Sequence, residues 1–200
     1  METVIIILLI LTSIIGLTLI IERALALRRG KVLPEVVLST ARNCRTASDL
    51  PMLRSVCEQN PSPISRLLLF ADTHRDWPKP ETASALQTRA RQEIAGMERG
   101  LFVMEIVVGA APLMGLVGTV YGLILLFASI GKGGPTNDNS EFARGIATAL
   151  NATMFGLMAA IPSLVAWSFF NRRVETLAIE MENVCDEFLR RHGAGEPGKR

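Results

Sequence analysis

Twenty-six consecutive residues, Ile106 to Gly131, carry no charge. As a helix that run is about 39 Å long, more than the ~30 Å hydrocarbon core of a bilayer. Inside it stands Ala111-Pro112-Leu113-Met114-Gly115-Leu116-Val117-Gly118-Thr119-Val120-Tyr121-Gly122. A helix facing only lipid would be Leu, Ile and Val all round. Gly115, Gly118 and Gly122 instead let another helix backbone approach closely, and Gly118 and Gly122 stand four apart as a small-xxx-small pair. The segment reads as an assembly face with one aliphatic hydroxyl, Thr119, at membrane depth.

Two more apolar blocks flank a polar interior, so the whole-chain figures are a mixture. With 49% hydrophobic and 20% charged residues and a mean hydropathy of +0.32, the chain is too apolar for a soluble domain. It is also too charged for spans alone. An all-α, three-span membrane protein with a sizeable aqueous part is expected. A net charge of +2, spread among mixed acids and bases, does not indicate a nucleic-acid partner. Cys44, Cys57 and Cys185 form no CxxC pair, and His74 and His192 stand alone, so neither a metal nor another cofactor is expected.

The first transmembrane helix is placed at residues 1–21. Its apolar run, Val4 to Ile21, is interrupted only by Thr12, Ser13, Gly16 and Thr18. It starts at Met1-Glu2 without basic residues, and Arg23, Arg28, Arg29 and Lys31 follow it. That asymmetry argues for a retained, N-out span rather than a cleaved signal peptide. Residues 22–100 form the aqueous loop domain, on the cytoplasmic side, with thirteen Lys/Arg against nine Asp/Glu. Prolines at Pro61, Pro63, Pro78 and Pro80 separate its short helices. From Glu81 to Gly100 a proline-free helix is expected to run into the second transmembrane helix, residues 101–130. Residues 131–140 make a periplasmic turn, with Ser140 as cap of the third transmembrane helix, residues 141–171. Arg172 and Arg173 close that span, and residues 172–200 form a cytoplasmic amphipathic helix and tail, C-terminus inside. Its apolar residues Val174, Leu177, Ala178, Met181, Val184, Cys185, Phe188 and Leu189 recur at three and four, which favours packing against the loop helices. No phosphate loop, nucleophile elbow or metal pair points to an enzyme.

The third span carries a second small-residue row, Ala152, Gly156 and Ala160, and a face shared by Ala149, Thr153, Gly156 and Ala160. Thr148 and Asn151 fall on an adjoining face. Antiparallel pairing would bring Thr119 and Thr153 to one depth. Threonine in a span also bonds its own carbonyl four residues back, and then serves only packing. Pro112 and Pro162 each free a carbonyl, at Val108 and Met158, which needs protein or water rather than lipid. No ionisable side chain lies near the middle of any span, so a conducted proton would need a carboxylate from another subunit. Glu105 is the internal candidate, fourteen residues before Thr119 and about 21 Å away on roughly the same face.

On these two blocks, Ala111 to Gly122 and Gly145 to Pro162, the chain resembles the ExbB/TolQ/MotA proton-channel family. Three N-out spans and long cytoplasmic helices extend the likeness. The flagellar stator branch carries four spans, so the similarity is to the ExbB and TolQ branch, with ExbB the leading expectation. The resemblance implies a pentameric homo-oligomer in the bacterial inner membrane. Its second and third spans would surround an ExbD- or TolR-like single-span partner whose aspartate carries the proton. The resulting movement would pass to a TonB-like transducer that energises outer-membrane transport. A TolQ-like role in the envelope is the alternative, and a non-conducting scaffold is a further one. Thr119 and Thr153 match the family's two pore threonines, while Thr148 stands where the family commonly has glutamate.

Overall fold

The structure, a computed structural model, describes residues 2–131 and 139–192; the expected turn between the second and third spans and the tail from Gly193 lie outside the described residues. All regular elements among these residues are helical. They are α1 (Glu2–Ala26), α2 (Arg29–Val32), α3 (Glu35–Asn43), a 3-10 turn (Ala47–Asp49), α4 (Leu50–Gln59), α5 (Pro63–Thr73), α6 (Lys79–Gly131) and α7 (Asn139–His192). Three helices, α1, α6 and α7, are long and apolar enough to cross a membrane. Pro63, one of the breaks read from sequence, stands in the first turn of α5, and Pro51 stands likewise in that of α4, where a missing N–H costs nothing. Ser62 caps α5 by accepting the Ser65 N–H at 3.2 Å. Pro112 and Pro162, by contrast, lie within α6 and α7, which continue through them. Helix α7 begins at Asn139, so Ser140 lies inside its first turn rather than at its cap. Helix α1 runs on to Ala26.

The chain divides into two compact units, Met1–Arg23 with Gly100–Phe169, and Ala24–Arg99 with Phe170–Arg200. The second unit is packed around large apolar side chains. Val37, Leu38, Leu53, Ile64, Leu67, Leu68 and Leu86 are buried there with Val174, Leu177, Met181 and Phe188. The last four repeat at three, four and seven along α7, the amphipathic pattern read from sequence. Arg54 reaches the buried Asp72 through Nε at 3.1 Å and through a terminal nitrogen at 2.6 Å, and Arg66 Nε reaches Glu93 at 2.9 Å. At the end of α7, Arg191 donates to the Arg42 carbonyl at 2.7 Å and His192 Nε2 meets the Cys44 carbonyl at 3.1 Å. These bonds satisfy acceptors at and just past the C-terminus of α3.

The first unit is organised differently. On α6 the buried row is Leu101, Met104, Val107, Ala111, Gly115, Gly118 and Thr119; on α7 it is Ala149, Gly156, Ala160 and Ser163. Outside these rows the spans expose large apolar side chains, among them Ile7, Leu17, Leu113, Val117, Met158 and Val165, as a lipid-facing surface requires. Helix α1 rests on both others through Gly16: a Cβ there would stand 2.9 Å from Ser163 Oγ and 3.5 Å from Val107 Cγ1.

Candidate functional site

The α6–α7 seam is set by backbone contact. A Cβ on Gly115 would come within 2.9 Å of the Ala152 carbonyl oxygen and 3.0 Å of Thr153 Cα. One on Gly156 would come within 2.6 Å of the Ala111 carbonyl oxygen and 3.1 Å of Gly115 Cα. The helices run antiparallel, since residues 111 and 115 face 156 while 119 faces 149 and 153. Their crossing therefore lies at Gly115 and Gly156, in a row Ala111-xxx-Gly115-xxx-Thr119 with its complement on α7. Gly115, one of the three glycines singled out in the sequence, makes this contact. Gly118 is buried beside it and Gly122 is half-buried further along.

One helical turn beyond the crossing, the Thr119 and Thr153 hydroxyls are in direct hydrogen-bonding contact. Thr119 is 8% exposed. Its Oγ1 also lies 3.2 Å from its own-turn Gly115 carbonyl and 3.2 Å from the Ala149 carbonyl across the seam. A hydroxyl has one proton to donate and two lone pairs to accept with. Thr153 can thus donate to Thr119 while Thr119 donates to a carbonyl, or the pair can reverse. Such a pair can orient a water or hold the hydrogen bond of an incoming acid. It cannot store a proton at physiological pH, because an aliphatic hydroxyl is no titrating group there.

The other sequence-derived residues are not gathered at this pair. Thr148 is exposed and donates to the Arg144 carbonyl at 2.9 Å, four residues back in its own helix. Asn151 is exposed. Glu105 is exposed as well, one position past the buried Met104. Its register differs from that of Thr119 by enough to leave it off the seam: fourteen residues at 100° each fall about 40° short of whole turns. Pro112 is half-buried and Pro162 exposed. Ala152 is half-buried and Ala160 buried. Sequence reading did not assign Gly16 and Ser163 a role. A glycine opposite a buried serine is visible only once α1 is docked. The described residues contain no group of three or more His, Cys, Asp or Glu able to hold a metal ion, and the three cysteines are buried and free.

Comparison with known proteins agrees with this architecture. Residues 62–183 match the model of the MotA/TolQ/ExbB proton channel family. The ExbB-like protein 1 of Synechocystis is 34% identical over 162 residues, 80% of this chain and 63% of that protein. The biopolymer transport protein ExbB of Aquifex aeolicus is 36% identical over 96 residues, 48% of this chain and 64% of that protein. The Tol-Pal system protein TolQ of Haemophilus influenzae is 34% identical over 107 residues, 54% of this chain and 46% of that protein. The chain therefore spans less than two thirds of the length of these relatives. The matched region includes all of α6 and most of α7, both sides of the glycine seam and the hydroxyl pair it encloses, and on this basis the chain belongs to the MotA/TolQ/ExbB proton channel family.

Proposed function

We propose that this chain is a ring-forming subunit of an ExbB-like complex that uses proton-motive force to drive transport at the outer membrane. In this reading α1, α6 and α7 cross the bacterial inner membrane with the N-terminus outside and the C-terminus inside. Five copies surround the single span of an ExbD- or TolR-like partner, and a TonB-like transducer receives the movement. The observation that carries the reading is the Thr119–Thr153 pair, two hydroxyls in contact inside otherwise charge-free spans. The spans lack a central acid, so the pair supplies hydrogen bonds and the partner supplies the titrating carboxylate. A TolQ-like role is the second reading, favoured by the similarity to the Haemophilus protein.

Replacing Thr119 or Thr153 by valine removes a hydroxyl at nearly constant volume. Each variant is expected to assemble as the parent does and to lose energised uptake by at least about a hundredfold, the scale of losing a required proton-transfer contact. Unchanged uptake in both variants would leave the seam a packing device in a non-conducting scaffold.

A further inference from the structure

A proline inside a helix leaves the carbonyl four residues earlier without its N–H donor. For Pro162 in α7 that carbonyl belongs to Met158, which is 62% exposed. Pro162 falls about 40° round the helix from Met158, inside the roughly 100° arc that Met158, Phe155 and Ala159 cover. Those three residues form one wall of a groove of about 350 Å³, and Ile10, Ser13 and Ile14 of α1 stand on the other. The freed carbonyl therefore opens on this groove and not on the α6–α7 seam, which lies on the opposite side of α7.

Ser13 supplies a matching donor. Thr12, Thr18 and Ser163 each donate to the carbonyl four residues back, at 2.8, 2.8 and 2.9 Å. Ser13 makes no hydrogen bond among the described residues. Ser168 shares that state, but it stands near the end of the charge-free run that closes at Asn171. Ser13 instead lies close to the middle of the charge-free residues 3–21. Gly16 lies beside Ser163 while residues 6–14 line the groove with residues 155–159, so α1 and α7 run parallel. Ser13 is thus level with about residue 160, the depth at which the Met158 carbonyl, pointing toward the helix C-terminus, comes to lie. A donor and an acceptor face one apolar groove at mid-membrane, where an unsatisfied polar group is costly.

The lining limits the occupant. No charged side chain borders the groove among the described residues, so the occupant is neutral. A phospholipid keeps its headgroup at the surface and offers only acyl chain at this depth, with nothing to donate to the carbonyl. A hydroxyl does both tasks, donating its proton to Met158 and accepting that of Ser13. We propose that the α1–α7 groove binds an uncharged single-chain alcohol, its hydroxyl between Ser13 Oγ and the Met158 carbonyl oxygen and its chain along Ile10, Ile14 and Phe155. The volume is in the range of small-molecule sites. Thr153 stands about 140° round α7 from Met158, so this site is separate from the hydroxyl pair of the seam and does not depend on the conduction reading.

The full-length protein in phosphatidylcholine vesicles is photolabelled with a diazirine-bearing decanol and with the matching decane, and labelled peptides are read by mass spectrometry. Decanol is expected to label the segments around Ser13 and Met158 saturably. Its half-maximal membrane fraction should be roughly tenfold below that of decane, about threefold for each of two hydrogen bonds. Ser13→Ala is expected to raise that fraction about threefold. Ala159→Phe, which fills the groove, is expected to abolish saturation. Thr12→Val, whose parent hydroxyl already bonds Leu8, should leave labelling unchanged. Equal labelling by the two probes, as a groove holding only lipid chains or water would give, overturns the proposal. So does saturation that Ser13→Ala leaves untouched, or absence of label at both segments, as a second copy seated over the groove would give.

Discussion

Among the helices of Ala24–Arg99 and Phe170–Arg200, the interior is filled by side chains: Ile64, Leu67, Leu68, Leu177 and Met181 are each 0–1% exposed. Among those of Met1–Arg23 and Gly100–Phe169, the closest approach of α6 and α7 is backbone on backbone, at Gly115 and Gly156. The contrast follows from solvent. In water, each leucine removed from contact with solvent contributes about 1.5–3 kcal/mol, so a large side chain is the efficient filler. In lipid that drive is absent, and close van der Waals contact between small residues takes its place. The polar atoms follow the same division. Arg54 and Asp72 can form an ion pair where water solvates the excess, whereas Thr119 and Thr153 meet as neutral hydroxyls.

The sharpest way to break this comparison is to make each region lose what it depends on. Leu67→Ala leaves a cavity at a fully buried site and is expected to cost about 2–5 kcal/mol, measured by denaturant unfolding in detergent. Gly156→Ala adds a single methyl, yet it meets the Ala111 carbonyl oxygen at 2.6 Å and is expected to cost about 1–3 kcal/mol. Gly96→Ala is its control. Gly96 lies in α6 with nothing within 4 Å of a Cβ, so the same methyl is expected to add up to about 1 kcal/mol of stability. Equal signs for the two glycines would mean that the seam is not set by backbone contact.

The smallest effect near neutral pH concerns the thiols outside the spans. Burial pushes the Cys57 thiol up to about 11 and the Cys185 thiol up to about 12. A folded-state value above the unfolded one favours the protonated thiol in the native state. Its contribution is fully present below the unfolded value, about 8.5, and is lost as pH rises toward 11 and 12. Stability is therefore expected to fall between about pH 9 and 12. Cys185→Ala, judged by the slope of unfolding midpoint against pH, should flatten that fall.

Much of this division was legible in the chain. Absence of charge from Ile106 to Gly131 marks the second span without any structure, and the spacing of Val174, Leu177, Met181, Cys185 and Phe188 marks the buried face of the α7 extension. Pro63 marks a helix start because φ and the missing N–H suit a first turn. That Gly115 meets Gly156 was not legible. Several small residues on each helix satisfy the small-residue rule, and the pairing depends on the relative direction and offset of the two helices. Thr148 and Asn151 share polarity with Thr153 but stand about 140–160° from it around the helix, and both are exposed. The use of Gly16 was hidden for a related reason. A lone glycine in an apolar run has no sequence partner, and its fit against Ser163 depends on where α1 docks.

The proposed mechanism turns on hydroxyls held in the seam and an acid brought by another chain, and its most direct test is proton flux. The purified full-length protein is reconstituted in vesicles with an internal pH dye, alone and with its single-span partner, as the parent and as Thr119→Val. Little flux from the protein alone, a rise of at least about tenfold on adding the partner, and loss of that rise in the valine variant are expected. Equal flux with and without the partner, or an undiminished rise in Thr119→Val, would contradict it.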